Sequence, residues 1–162
     1  MKNNIKLLVF DVDGTLTDGK IYMSDTGEAF KAFNIKDGYA IRNLLPKKNI
    51  TPVIITARQS KIVENRCAEL DIMYCFQNCL NKVKKLHELT REFDIKADEN
   101  GIYTDIAYMG DDIPDLECMK FCGLIGCPAD ATEEVKTIAD FISTHKGGEG
   151  AAREFVEWLI NS

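Results

Sequence analysis

The 162-residue chain carries 26 acidic against 20 basic residues, a formal net charge of −6, so it has no global positive field to gather a nucleic-acid backbone or an anionic membrane. Hydrophobic residues make up 45% and charged residues 28%, which excludes a disordered or fibrous chain, and the length suits one domain with no room for a second. Met1-Lys2-Asn3-Asn4-Ile5-Lys6 leads into an apolar stretch too short for a secretory signal core or a membrane span, which makes the cytoplasm the expected compartment.

The first predicted element is Ile5 to Phe10, whose unbroken run Leu7-Leu8-Val9-Phe10 reads as a strand buried on both faces. It ends in Asp11-Val12-Asp13-Gly14-Thr15, a spacing that lets both carboxylates project to one side as the strand ends. Two close carboxylates repel and call for a cation, and hard oxygen ligands suit magnesium. Gly14 and Thr15 let backbone amides turn toward a phosphate. Taken alone, Asp11 and Asp13 would do no more than end a strand and begin a turn. The stretch Lys20 to Asn34 breaks the strand-helix pattern: Asp25, Thr26 and Gly27 supply turn chemistry between arms bearing Tyr22, Phe30 and Phe33, and a β-hairpin is predicted. Placed after the first strand, it sits above that strand's C-terminal end, where open α/β sheets bind ligands. It suits a lid or an oligomer contact.

The next strand is Pro52 to Thr56, closing on a hydroxyl, and its helix carries Ile62, Val63, Cys67 and Leu70 on one face. Met73 to Phe76 is a short strand before a helix over Leu80 to Phe93, where Val83, Leu86, Leu89 and Phe93 recur at helical spacing. Lys82 opens this helix, an unfavourable place for a cation against the helix dipole, which favours an anionic partner; Lys84 and Lys85 read as a solvated face. Ile106 to Met109 is a strand that runs into Gly110-Asp111-Asp112-Ile113-Pro114-Asp115. In a parallel sheet this second acidic cluster gathers at the same edge as the first. Asp112 or Asp115 also suits a helix N-cap, with Pro114 in the first turn. Leu124-Ile125 and Phe141-Ile142 supply the last strands, before Gly147-Gly148-Glu149-Gly150 and a terminal helix bearing Phe155, Val156, Trp158 and Leu159. The alternation predicts an α/β fold: a three-layer, Rossmann-like parallel sheet with helices on both faces and a hairpin insertion after the first strand. The six cysteines, Cys67, Cys75, Cys79, Cys118, Cys122 and Cys127, lack close metal-ligand spacing and a neighbouring His, and read as core.

This ordered set, acid pair, threonine, lysine, acid cluster, resembles the haloacid dehalogenase superfamily of phosphotransferases. The resemblance implies that Asp11 is a nucleophile forming an aspartyl-phosphate, and that Asp13 protonates the leaving alkoxide and then activates water. It implies that Thr56 and Lys82 bind the phosphoryl oxygens together with the Gly14 turn. Asp111 would join Asp11 and the Asp13 backbone carbonyl on Mg2+, with Asp112 supporting the metal's waters. The gaps between motifs leave no room for a cap domain. A receiver-like signalling domain also combines acids, Thr and Lys, but ends on its lysine, whereas here the second acidic cluster follows Lys82.

Within the superfamily, Asp18-Gly19, the segments Lys31 to Gly38, Ile55 to Ser60, Val63 to Cys67, and Gly147 to Glu154 are similar to the 3-deoxy-manno-octulosonate 8-phosphate phosphatases and their sugar-acid relatives, which include enzymes of nonulosonate 9-phosphates. That likeness implies one phosphatase domain over residues 1–162, with a hairpin at about 20–34 and a C-terminal tail at about 146–162. It implies a small phosphorylated sugar acid as substrate, a place in lipopolysaccharide biosynthesis, and a homotetramer in which a hairpin, or the tail from Lys146 to Arg153, caps a neighbour's site. Arg58 and Arg66, with Lys146, are the candidates for holding the substrate, the two arginines for its carboxylate; Arg66 equally suits a structural salt bridge. Ala57, Asn78 and Asn81 depart from the family's Gly, Gly and acid.

Overall fold

A computed structural model describes residues 4–161; Met1–Asn3 and Ser162, and what was expected of them, lie outside the described residues. In chain order, β1 (Leu7–Phe10) is followed by a hairpin of β2 (Tyr22–Ser24) and β3 (Gly27–Phe30). A helix α1 (Ile35–Tyr39) then runs through a π-helical turn, Ala40–Leu44, and a 3-10 turn, Pro46–Lys48, into β4 (Thr51–Ile55). Next come α2 (Lys61–Glu69), β5 (Tyr74–Phe76), α3 (Lys82–Glu92), β6 (Tyr103–Met109) and α4 (Ile113–Met119). The chain closes with β7 (Cys122–Cys127), α5 (Glu133–Ile138), β8 (Phe141–Ile142) and α6 (Ala151–Asn161). The main sheet has 6 strands in the order β5-β4-β1-β6-β7-β8, every pair parallel, and β2-β3 form a separate antiparallel sheet.

The position of β1 follows from its sequence. Leu7 and Val9 belong to one core with Leu86 and Leu89 of α3, Cys118 and Met119 of α4 and Val135 of α5. Leu8 and Phe10 belong to the opposite core, with Ala40, Ile41, Val63 of α2 and Phe155 and Val156 of α6. A strand whose successive side chains both need cover must lie in the middle of a three-layer fold, and each fully buried Leu, Val or Phe contributes about 1.5–3 kcal/mol. Because all pairs are parallel, β1, β4, β5 and β6 end at the same edge of the sheet.

The segment from Ile35 to Lys48 carries structure that the sequence reading passed over. Asn34 caps α1 by accepting from Lys36 N at 2.8 Å, but Ile35 is 83% exposed and Gly38 interrupts the short helix, so no long apolar period announces it. Its buried Asp37 reaches across the molecule: Oδ1 accepts from Arg153 N at 2.8 Å, and the carboxylate also accepts from Gly150 N, capping α6. Burial raises the Asp37 pKa despite those bonds. The terminal helix expected around Phe155, Val156, Trp158 and Leu159 is α6. Ala151, Ala152, Phe155 and Val156 of α6 are fully buried, because that helix closes one face of the sheet. Cys67, Cys118, Cys122 and Cys127 are buried, Cys75 and Cys79 half-buried, and all are free thiols. Among the described residues no helix is long and apolar enough to cross a membrane.

Candidate active site

At the end of β1 the chain folds into a tight turn: Val12 O accepts from Thr15 N at 3.2 Å, Leu16 N at 2.9 Å and Thr17 N at 3.1 Å. Gly14 takes a positive φ of 94° in this turn, and a Cβ there would collide with Asp111 Oδ2, so the position demands glycine twice over. Asp111, at the end of β6, is half-buried and accepts from Thr15 Oγ1 at 2.9 Å. The two acidic clusters predicted at one sheet edge are thus in contact.

Lys82 joins them. Asn81 caps α3 through Lys84 N at 2.9 Å, which starts the helix at Lys82 and turns its ammonium inward. The buried Nζ donates to Asp11 Oδ1 and to Asp115 Oδ1, each at 2.7 Å. Asp115 was expected only as part of an acidic cluster or as a cap. It is almost wholly buried and its oxygens are fully engaged: Oδ1 also accepts from Tyr108 Oη at 2.8 Å, and Oδ2 from Asp111 N at 3.2 Å and Asp112 N at 3.4 Å. Asp112 is the α4 N-cap, exposed, accepting from Ile113 N at 2.7 Å. Of the two aspartates that suited a cap, this one takes the role, and Asp115 completes its capping box.

The electrostatics of this cluster are short of positive charge. Ligand oxygens of Asp11, Asp111 and Asp115 lie within 4.8 Å of one another. Burial and the charge of Asp115 push Asp11 up to about 6 in spite of Lys82. Burial and the charge of Asp11 push Asp111 up to about 7. Burial alone would lower the Lys82 pKa, but Asp11 and Asp115 raise it, so it is an ammonium. Asp115 is satisfied by its donors, whereas Asp11 and Asp111 repel each other across a gap with hard oxygen donors. That donor set fits a small divalent cation such as Mg2+.

Asp13 is half-buried and faces the hairpin. Its Oδ1 pairs with Lys31 Nζ, and Arg58 Nε lies 3.9 Å from its Oδ2. Lys31, just after β3, is buried and also pairs with Glu28 Oε1 at 2.9 Å, while Glu28 Oε2 accepts from Ser60 Oγ at 2.5 Å. Neither Lys31 nor Glu28 was predicted, although Lys31 lies in a segment quoted for the family likeness. Thr56 is buried where β4 ends, one strand from β1, with Phe10 opposite Ile54. Its N donates to Phe76 O and its O accepts from Cys79 N, both at 3.0 Å. Asn78 holds a positive φ of 54° in the loop after β5, a conformation asparagine tolerates better than most residues other than glycine.

Arg66, one of the predicted substrate residues, turns to the Phe33–Asn34 segment: Nη2 donates to Asn34 O at 3.3 Å, Nη1 pairs with Glu69 Oε2 at 2.9 Å, and the guanidinium lies 5.4 Å from the Phe33 ring centroid. The pair with Glu69 is the kind of salt bridge that its structural alternative called for. Lys146 is exposed, and its O accepts from Glu149 N at 3.0 Å. The glycines after it lie on the chain's own turn: Gly148 N donates to Thr15 O at 3.2 Å, Gly147 N to Asp130 Oδ1 at 2.9 Å, and a Cβ at Gly147 would collide with Gly14 O.

No family model matches the chain. It is 44% identical over 157 residues to the 3-deoxy-D-manno-octulosonate 8-phosphate phosphatase of Salmonella typhi, covering 97% of this chain and 80% of that protein. The crystal structure of the phosphatase of that name from Moraxella catarrhalis, in complex with magnesium, phosphate and KDO, is similar with a TM-score of 0.90 at 34% identity, over 99% of this chain and 88% of the other. A Legionella pneumophila structure described as a HAD superfamily (subfamily III A) hydrolase has a TM-score of 0.90 at 31% identity, over 99% of this chain and 84% of that one.

Proposed function

Because the chain belongs to the 3-deoxy-D-manno-octulosonate 8-phosphate phosphatase family of the haloacid dehalogenase superfamily, we propose that it is a Mg2+-dependent phosphomonoesterase acting on 3-deoxy-D-manno-octulosonate 8-phosphate. The observation that carries the reading is the buried Lys82 ammonium bonded to Asp11 beside Asp111, an acid pair whose mutual repulsion a divalent cation would relieve. That cation, when bound, and Lys82 would supply the positive charge that a phosphoryl group needs.

Asp11 is the nucleophile. Lys82 holds its Oδ1, which leaves Oδ2 to attack phosphorus and form an aspartyl-phosphate as the alkoxide departs. Asp13 gives that alkoxide a proton and then takes one from the water that opens the acyl phosphate. Lys31 fixes Asp13 Oδ1, leaving Oδ2 for the transfer. Lys82, Thr56 and the amides of the Gly14 turn receive the equatorial oxygens. Asp11 and Asp111, with the Asp13 backbone carbonyl, would hold Mg2+, which when bound neutralises charge on the phosphoryl oxygens and between the carboxylates. Arg58, 48% exposed beside Asp13, is placed to take the carboxylate of a sugar acid. We further propose a homotetramer joined through the hairpin, which exposes Met23 and Phe30 at 63% and 54%.

A panel of sugar phosphates assayed with and without Mg2+ tests this. The octulosonate 8-phosphate should turn over far faster than hexose phosphates, only with the metal, and Asp11→Asn should lower turnover by about 10^3-fold or more. Equal rates across the panel would remove the substrate, a preference for a nonulosonate 9-phosphate would move it to the neighbouring class, and an active Asp11→Asn would remove the mechanism.

A further inference from the structure

Two of the six cysteines form a pair that the phosphatase reading does not use. Cys67 lies in the last turn of α2 and Cys75 at the centre of β5, the edge strand, opposite Ile54 of β4. Both line an open groove of about 460 Å3 with Gln59, Glu64, Ile72 and Gln77, Cys75 half-buried and Cys67 buried. Three of the other four thiols are separately engaged. Cys118 Sγ donates to Lys82 O at 3.7 Å, Cys122 Sγ to Cys118 O at 3.4 Å and Cys79 Sγ to Gln77 O at 3.6 Å.

We propose that Cys67 and Cys75 are a modification site: a half-buried thiol and a buried one lining a single groove at the sheet edge, which a peroxide oxidises to a Cys67–Cys75 disulfide. The attacking and resolving roles differ. Cys75 is the more exposed of the two and meets the peroxide, while Cys67 is buried; the neighbouring Cys67 lowers the Cys75 pKa, whereas Cys75, and then burial, raise that of Cys67. Burial raises Cys79, pushes Cys127 up to about 11 and Cys118 up to about 12, and holds Cys122 well above the ordinary thiol, so those stay protonated and unreactive. Cys75 Sγ, as thiolate, attacks one peroxide oxygen, the O–O bond breaks, and the other oxygen leaves as water or an alcohol after taking a proton. Cys75 is then a sulfenic acid. Cys67 Sγ attacks Cys75 Sγ, the S–O bond breaks, and water leaves with the Cys67 proton. Two thiols have lost two electrons to one peroxide.

The test is graded hydrogen peroxide on the full-length protein, followed by alkylation, proteolysis and mass mapping. Expected is a linked Cys67–Cys75 peptide that appears first, with loss of two hydrogens per chain, reversed by dithiothreitol, while the other cysteines remain alkylated. In Cys67→Ser, which keeps a small side chain with a hydrogen-bond donor beside Cys75 but no thiol to resolve it, Cys75 should stop at the sulfenic acid and take several-fold more dimedone than Cys79. A different pair linking first, or Cys75 labelled no more than Cys79 in that variant, overturns the proposal. The readout is independent of any phosphatase activity.

Discussion

Asp11 and Asp111 share a buried gap with more negative charge than Lys82 offsets, and this governs how the protein responds to pH. Both rise in the fold from the ordinary 3.8, to about 6 and about 7. The unfolded chain sheds these protons first, so between roughly pH 4 and 7 the folded state binds more protons and the pair costs more stability as pH rises. Metal-free protein should therefore lose thermal stability across that window relative to Asp111→Asn, and Mg2+ should raise the midpoint more at pH 7 than at pH 5; calorimetry with and without chelator measures both. Tyr108, held protonated by burial, donates to the same Asp115 oxygen as Lys82. Tyr108→Phe should leave Lys82 less firmly placed, with kcat falling roughly ten-fold, equivalent to about 1.4 kcal/mol, and KM unchanged. Steady-state kinetics would show it. Asp11, Asp13, Thr56, Lys82 and Asp111 were legible because each closes or opens a regular element, where a local run announces the place. The contacts of Asp115, Tyr108 and Lys31 were not, since Lys82 and Lys31 reach their acids across separate elements and Tyr108 meets Asp115 only through the turn between β6 and α4. Arg66 was read toward substrate because an arginine's sequence neighbours do not tell which way its long side chain folds.

At the scale of elements, the strands with continuous apolar runs were legible: β1 and β4 need cover on two faces, and that need is written in consecutive residues. The edges were less so. β6 begins at Tyr103 and β7 at Cys122, ahead of their apolar cores, because pairing with a neighbour extends a strand beyond its hydrophobic part. The helices α1, α4 and α5 are too short to show a period, and tertiary contacts hold them. For α1 the principal tie is Asp37, which caps α6 from the other end of the chain. Asp37→Ala should lower stability by about 1–2 kcal/mol through the lost cap, read as a shift in the urea midpoint with the slope unchanged. An unchanged midpoint would mean that the contact carries no net weight.

For the whole molecule, the parallel three-layer arrangement was readable from the alternation of strands and helices, but the order of strands was not, because β1 and β6 pair across most of the chain's elements. Met23→Asp with Phe30→Asp should convert the proposed tetramer to monomer in sedimentation while the circular dichroism of the main domain persists; a wild type that sediments as a monomer would remove the assembly. The turn that carries Asp11 and Gly14 takes its outer wall from Gly147 and Gly148, residues far along the chain. Such a contact closes a very long loop, whose entropy must be met before the contact stabilises anything. The turn beside Asp11 is therefore completed late in folding, after the local strand-helix units have formed, and a partly folded chain holds that carboxylate in an unfinished pocket.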